Sequence, residues 1–237
     1  MKSLKYNLLL LCFLSLGLFS AAQDVVTRAL PPFTGISVIG KLRVELYKSD
    51  TSRVDLVLEN VAAENIITEV KDSVLSIRMK TDTNKSAVIK VLVYYSNLTE
   101  ITVASNALLL SPDTLVAEKI KFTARIGAKM ELDLNVSNLV ADVKQGGILV
   151  FSGKTTRQEV TVNTGATYSA YTLESEDSYV TANSGSKAKV CAARIIDASS
   201  NTKSYIGYIG VPISVYIKTN LGGVIASFAN ADAVFED

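Results

Sequence analysis

From about Ile101 onward, apolar and polar positions alternate in short runs, and the runs recur every 16–21 residues. Each run ends at a Gly or Asn, giving seven aligned positions: Asn106, Gly127, Gly146, Gly165, Gly185, Asn201 and Gly222. These residue types tolerate a left-handed backbone best, so the column predicts a set of corners. Five places before each anchor stand Ile101, Phe122, Ala141, Val160, Val180, Ile196 and Ile217. Three places before it stand Val103, Ala124, Val143, Val162, Ala182, Ala198 and Thr219. Between those columns lie Thr102, Thr123, Asp142, Thr161, Thr181, Asp197 and Lys218, all polar. The pattern in, out, in describes a short strand with its inner face buried. A small residue follows every anchor, from Ala107 and Ala128 to Thr202 and Gly223, and second short strands follow the corners, as in 129–134 and 148–151. A single such turn cannot bury its own inner face, whereas stacked turns bury one another's. The pattern therefore predicts an all-β fold, a parallel β-solenoid over residues 101–228. The competing arrangement is an antiparallel sandwich with evenly spaced glycine turns.

Residues 33–100 lack the corner column. Strand-like runs at 36–39, 42–47, 54–58, 74–79 and 88–95 are separated by turn-forming segments such as Lys48-Ser49-Asp50 and Asp82-Thr83-Asn84. Asn60 is placed to cap a short helical turn over 61–65. This region is expected to be an antiparallel or mixed β cap that hides the open edge of the first turn. Pro31-Pro32 marks the end of a linker, 23–32. Residues 229–237 form an acidic tail containing Asp232, Glu236 and Asp237.

The first 22 residues read as a secretory signal peptide: Lys2 and Lys5, an apolar run from Leu8 to Phe19, then Ser20-Ala21-Ala22. The run is too short to span a bilayer as a helix, which takes ~20 residues. No later segment is long enough either, so no transmembrane segment is expected after cleavage. The expected location is the periplasm or the outer cell surface. Cleavage removes Cys12 and leaves Cys191 without an intrachain partner. Its setting, Lys189-Val190-Cys191-Ala192, favours a buried thiol over a reactive one.

Several short features together resemble a known family. They are Phe33-Thr34-Gly35-Ile36-Ser37-Val38-Ile39-Gly40, Val74-Leu75-Ser76-Ile77, the corners Thr164-Gly165-Ala166 and Ser184-Gly185-Ser186, and Gly210-Val211-Pro212. In order and spacing they resemble the auto-transporter adhesin "head GIN" domain, a domain of unknown function, across residues 33–228. The resemblance implies export in bacteria with an outer membrane, a β-helical fold and a surface or periplasmic role. It supplies no catalytic residues. Asn106 and Asn201 depart from it, standing where Gly is usual.

Composition narrows the chemistry. The 24 basic and 23 acidic residues nearly cancel, which argues against nucleic acid as a partner. The absence of His removes Ser-His-Asp and Cys-His catalysis and the commonest metal ligand. Asp142 and Asp197 share the polar column but lie three turns apart, ~14 Å at the usual strand spacing. That exceeds what paired glycosidase carboxylates need. Asp133 falls on a different strand, and Arg157, Arg194 and Lys189 are not clustered by spacing. No calcium-loop or phosphate-cradling motif occurs, so no cofactor or metal is expected. The outward Thr102, Thr123, Thr161 and Thr181 could suggest an ice-binding array, but Asp142, Asp197 and Lys218 interrupt it, and threonine is ordinary on a β face. The tripeptides Asp72-Ser73-Val74 and Asp113-Thr114-Leu115 match a loose bacterial O-glycosylation pattern.

One arrangement stands out. Tyr168, Tyr171 and Tyr179 recur 37 residues later as Tyr205, Tyr208 and Tyr216. Outward-facing members would make a spaced aromatic platform, with an apolar face and a polar tip on each ring. Tyr168, Tyr171, Tyr205 and Tyr208 are the candidate binding residues, with interior filling as the alternative. The expected function is a non-enzymatic, adhesin-like binding module contacting glycan or an envelope protein. A polysaccharide-active β-helix enzyme and an end-to-end assembling envelope scaffold are the alternatives.

Overall fold

A computed structural model describes residues 24–80 and 88–228. The signal segment with its cleavage site, the turn at 82–84 and the acidic tail lie outside the described residues. The strands in chain order are β1 (Asp24–Ala29), β2 (Gly35–Ile39), β3 (Arg43–Lys48), β4 (Arg53–Glu59), β5 (Ile66–Lys71), β6 (Val74–Met79), β7 (Val88–Tyr95), β8 (Glu100–Ala104), β9 (Leu108–Leu110) and β10 (Leu115–Arg125). They continue as β11 (Lys129–Lys144), β12 (Ile148–Val162), β13 (Thr167–Ala170), β14 (Leu173–Ala182), β15 (Lys187–Cys191), β16 (Ile195–Asn201), β17 (Tyr205–Ile209), β18 (Ser214–Asn220) and β19 (Val224–Phe228).

The strands stack as a parallel β-solenoid with two faces. On the first face β6, β2, β8, β10, β11, β12, β14, β16 and β18 pair in that order, all parallel. On the second face the order is β7, β3, β9, β11, β12, β13, β15, β17 and β19, again parallel. β11 and β12 pass through the bend between faces without a break, so each contributes to both, while β10 starts within the bend and runs onto the first face. One first-face strand, its corner and the next second-face strand make a rung.

The start is mixed. β5 runs antiparallel to β6, β4 antiparallel to β7, and β1 antiparallel to β4. The rung of β2 and β3 is inserted between that of β6 and β7 and that of β8 and β9, so the parallel stack reaches back to residue 35. Its corner is the single residue Gly40 (φ 104°), not a left-handed pair, which hides it from the column of corners. The segment expected as a linker contains β1, where Val26 and Arg28 turn inward by strand parity. Arg28 donates from Nη1 to the Ile66 carbonyl (2.7 Å) and Thr68 Oγ1 (2.8 Å), and from Nη2 to the Ala63 carbonyl (2.8 Å). It thereby ties β1 to β5 across the end of the stack. The short helical turn is a 3-10 turn at Ala63–Asn65 without a side-chain cap, and Asn60 adopts a left-handed conformation (φ 59°).

Each later corner is a pair of consecutive left-handed residues: Ser105–Asn106, Ile126–Gly127, Gln145–Gly146, Thr164–Gly165, Ser184–Gly185, Thr202–Lys203 and Leu221–Gly222. An i to i+3 bond closes each turn, as from Gly147 N to the Lys144 carbonyl (3.1 Å). The second member of each pair donates to the corner one rung on: Asn106 N to the Ile126 carbonyl, Gly127 N to Gln145, and so on to Lys203 N to Leu221. Asn201 is therefore not a corner. It is the last residue of β16, opposite Asn220 and in line with Asn183, and the corner falls two residues later at Thr202–Lys203. Lys203 takes the left-handed place because the neighbouring rungs fix the register, and a Gly is not required there. The small residue after the corner is then Ser204, which faces inward. Position 147 shows why smallness matters: a Cβ there would sit 2.5 Å from the Ala124 carbonyl oxygen.

The inner columns are buried as expected through the sixth rung, with Ala198 and Ser200 in the places first given to Ile196 and Ala198. In the last rung Ile217 and Thr219 are exposed. No helix among the described residues is long and apolar enough to cross a membrane.

Candidate functional site

Strand parity sorts the tyrosines. Tyr168 lies in an inner column between Leu149 and Ala188, fully buried, and its hydroxyl donates to Gln158 Oε1 (2.7 Å). Burial pushes its phenol pKa far above the ordinary value. Tyr208 lies in an inner column beside Val190 and is also buried. Tyr171 is half-buried at the bend: its hydroxyl fills the space left by Gly207 and sits beside Tyr205, and burial raises its pKa too. Lys189 Nζ lies 5.6 Å from the centre of its ring. A surface platform of Tyr168, Tyr171, Tyr205 and Tyr208 is therefore not formed, because two of the four belong to the core.

Tyr205 points outward on the second face, in register with Lys187 and Val224, and is half-buried. On the first face the outward members of the repeat are Tyr179 and Tyr216, which stand on either side of Asp197 in one column. Adjacent strands are ~4.8 Å apart, so the two rings recur about 10 Å apart along the stack. Both tyrosines precede an inner-column residue, Val180 and Ile217, so period 2 alone points them outward. Tyr216 is 60% exposed. The Arg157 guanidinium lies 4.1 Å over the Tyr179 ring and pairs with Glu159 through Nη2 (2.7 Å) and Nε (3.0 Å). The hydrogen bonds that Arg157 donates to Glu159 raise its pKa further above an already high value.

Two more columns flank this one. Thr102, Thr123, Asp142, Thr161, Thr181, Ser199 and Lys218 lie in register, followed outward by Asn183, Asn201 and Asn220. The asparagines form a ladder: Asn201 Nδ2 donates to Asn183 Oδ1 and Asn220 Nδ2 to Asn201 Oδ1, each at 3.0 Å. A shallow depression of about 360 Å³ runs between the columns, lined by Arg157, Glu159, Thr161, Tyr179, Thr181 and Asp197.

The ionisable groups of this face are spread along the stack. Glu159 and Asp197 are two rungs apart, about 10 Å, with Tyr179 between them. Asp142 is paired with Lys144 (2.8 Å), and Asp133 accepts hydrogen bonds from Thr114 and Ser152 on the second face. Asp197 lies two residues off the Asp142 column, a consequence of the shifted corner. Arg194 pairs with the buried Asp177, so Arg157, Arg194 and Lys189 each have a different partner. Cys191 is half-buried, and burial raises its thiol pKa. Ser73 sits in the left-handed turn between β5 and β6, while the Thr114 hydroxyl is held by Asp133.

A second aromatic cluster, on the outside of the second face, has no signature in the repeat. Tyr47 and Tyr94 stack with ring centres 5.4 Å apart, and the Arg53 guanidinium lies 3.6 Å over Tyr94. Burial alone would raise the Glu45 pKa. Hydrogen bonds from Lys90, Arg43 and Tyr47 outweigh it and hold the carboxyl below the ordinary range. The carboxylate of Glu45 is satisfied by three partners, so this cluster is a closed network.

Comparison with known proteins places the fold. A crystal structure described as a "putative adhesin" from Bacteroides fragilis superposes with a TM-score of 0.79 at 14% identity, covering 88% of this chain and 99% of that one. A second "putative adhesin", from Parabacteroides distasonis, gives 0.68 at 19% identity, with 88% and 98% covered. A third structure, described as a "putative lipid binding protein" from the same species, gives 0.68 at 16% identity, with 86% and 97% covered. These similarities show a shared fold. No curated protein sequence matches the chain. The sequence profile of the family described as "Putative auto-transporter adhesin, head GIN domain" matches residues 32–212, and the chain belongs to that family.

Proposed function

We propose that this chain is a non-enzymatic, exported, adhesin-like module that binds glycan through the outer first face around Tyr179, Asp197 and Tyr216. One observation carries the reading: two outward tyrosines at a spacing of about 10 Å flank a carboxylate, beside columns of hydroxyl and amide groups. Tyrosine rings stack on the C–H faces of sugars, and Asp, Asn and Thr side chains satisfy sugar hydroxyls from the side. The exposed Tyr216 ring and the depression beside Tyr179 supply the surface for this contact. Export follows from the pattern of the first 22 residues and agrees with the family's adhesin description.

The test is a glycan array probed with the mature chain and with Tyr179→Ala/Tyr216→Ala. The expected result is binding that falls at least ~30-fold in the variant, as for paired aromatic hot spots, with an unchanged melting temperature. Binding that survives the double substitution moves the site elsewhere. Binding only to envelope proteins would replace glycan by a protein partner. Protease shaving of intact cells then separates periplasm from outer surface.

A further inference from the structure

The two ends of the solenoid are built differently. At the start, β1 and β5 are antiparallel edge strands, and Arg28 joins them with three hydrogen bonds. The other end has no such closure among the described residues. β18 and β19 each pair on one side only, with β16 and β17. Val215 and Ile217 continue the inner columns of Ile196 and Ala198, yet both are exposed. Around them stand Val211 (90% exposed), Ile213 (84%), Leu221 (79%) and Val224. Pro212 and Gly223 in the same stretch add no charge, and Lys218 is the only charged residue from Val211 to Phe228.

Six apolar residues at these exposures present roughly 600 Å² along the last rung, at or above the largest patch of an ordinary monomer. The patch also carries strand edges that are unpaired among the described residues, and such edges template pairing with another chain. We propose that two copies of this chain associate through this end, last rung against last rung, as a closed two-fold pair. Two such patches face to face remove about 1,200 Å² of apolar surface, the lower bound of a stable specific interface before any backbone or rim contact is added. The difference between the ends decides the symmetry. Head-to-tail stacking would set the apolar patch against an end closed by Arg28 and its carbonyl partners, and it would propagate into a filament. End-to-end pairing of like patches satisfies both edges at once and stops at two. It also places two copies of the Tyr179–Tyr216 face in one particle, so ligand contact becomes bivalent. The pair stands on the patch alone and does not depend on what that face binds.

Light scattering coupled to size exclusion, on the mature chain through residue 237 at concentrations up to ~100 µM, tests the pair. The expected mass is that of two chains. Ile213→Lys/Leu221→Lys, and separately Val211→Glu, should weaken association at least ~100-fold and give the mass of one chain. All three residues are exposed, so the circular dichroism of the separated chains should match that of the parent, and their melting temperature should match that of the parent at dilutions where it too is a single chain. A single-chain mass for the unsubstituted protein overturns the proposal, whatever else covers the patch. A dimer that survives both variants overturns it as well, and a mass that grows past two chains with concentration replaces the closed pair by a filament.

Discussion

From Ile101 to Val162 the interior is filled by large apolar side chains. Phe122 and Phe151 lie with ring centres 4.7 Å apart, packed among Leu109, Met130 and Leu149, all fully buried. From Tyr168 to Ser204 the same columns narrow to Ala182, Ala188, Ala198 and Ser200. The space there is occupied by a polar chain: Tyr168 donates to Gln158, whose Nε2 donates to Ser178 Oγ (2.8 Å), and Ser178 Oγ in turn donates to the Cys191 carbonyl (2.7 Å). Ser186 and Ser204 likewise donate to the carbonyls of Val162 and Ala182, where the earlier corners carry Ala or Gly. Both halves keep one backbone geometry, corner for corner. The strand ladder and the left-handed turns therefore set the coil, and the interior only has to fill it. The two fillings differ in specificity. Apolar contacts tolerate a change of neighbour, whereas the Gln158–Ser178, Ser186–Val162 and Ser204–Ala182 hydrogen bonds join residues one rung apart, so a slipped register would leave buried polar atoms unpaired.

The largest separation between the halves should come from Phe122→Ala. It opens a cavity beside Phe151 in a stack whose backbone cannot collapse around it, and the expected loss is about 3–5 kcal/mol by urea denaturation. A loss below ~1 kcal/mol would mean that the early interior is loosely packed, against the density usual for cores.

Gln158→Leu probes the polar half. It removes the acceptor of the Tyr168 hydroxyl and one partner of Ser178, for an expected loss of about 2–3 kcal/mol. Tyr168→Phe alone should lose less, because the amide of Gln158 keeps Ser178. The informative measurement is the double variant. If the network acts as argued, Gln158→Leu/Tyr168→Phe is less destabilised than the sum of the two singles by about 1 kcal/mol, since no hydroxyl is then left unpaired. Strict additivity would mean that these groups contribute independently.

Much of this architecture is legible in the sequence. The inner columns, the corner spacing and the parallel stack all follow from period 2 interrupted by left-handed residues. Those signals are local, and the backbone enforces them at every rung. The first rung is not visible in this way. Its corner is the lone Gly40, and its place in the stack depends on pairing β2 with β6, almost 40 residues later. The polar interior is hidden for a related reason. Gln158 and Ser178 share the inward parity of Val160 and Val180, but as polar residues they carry no apolar signal to mark the column. The tyrosine repeat marks the right segment, but orientation comes from parity within each strand, which assigns Tyr168 and Tyr208 inward and Tyr179 and Tyr216 outward.

The sixth corner offers the finest test of how the two halves share one geometry. Four of the five preceding corners place Gly in the second left-handed position, at Gly127, Gly146, Gly165 and Gly185, whereas the sixth places Lys203 there at φ 57°. A side chain with a Cβ in that conformation carries roughly 1–2 kcal/mol of strain. Lys203→Gly should therefore be neutral or stabilising by up to about 1 kcal/mol, the relief being partly offset by the freedom glycine gains on unfolding. Asn201→Gly should have the opposite sign. Asn201 is extended, ends β16, and links Asn183 to Asn220, so the substitution removes ladder hydrogen bonds and adds backbone freedom, for a loss of about 1 kcal/mol. The pair of melting curves reads the register directly. If Asn201 were the left-handed residue, the two signs would exchange, and the corner, the inner columns of β16 and the outward setting of Asp197 would all shift by two residues.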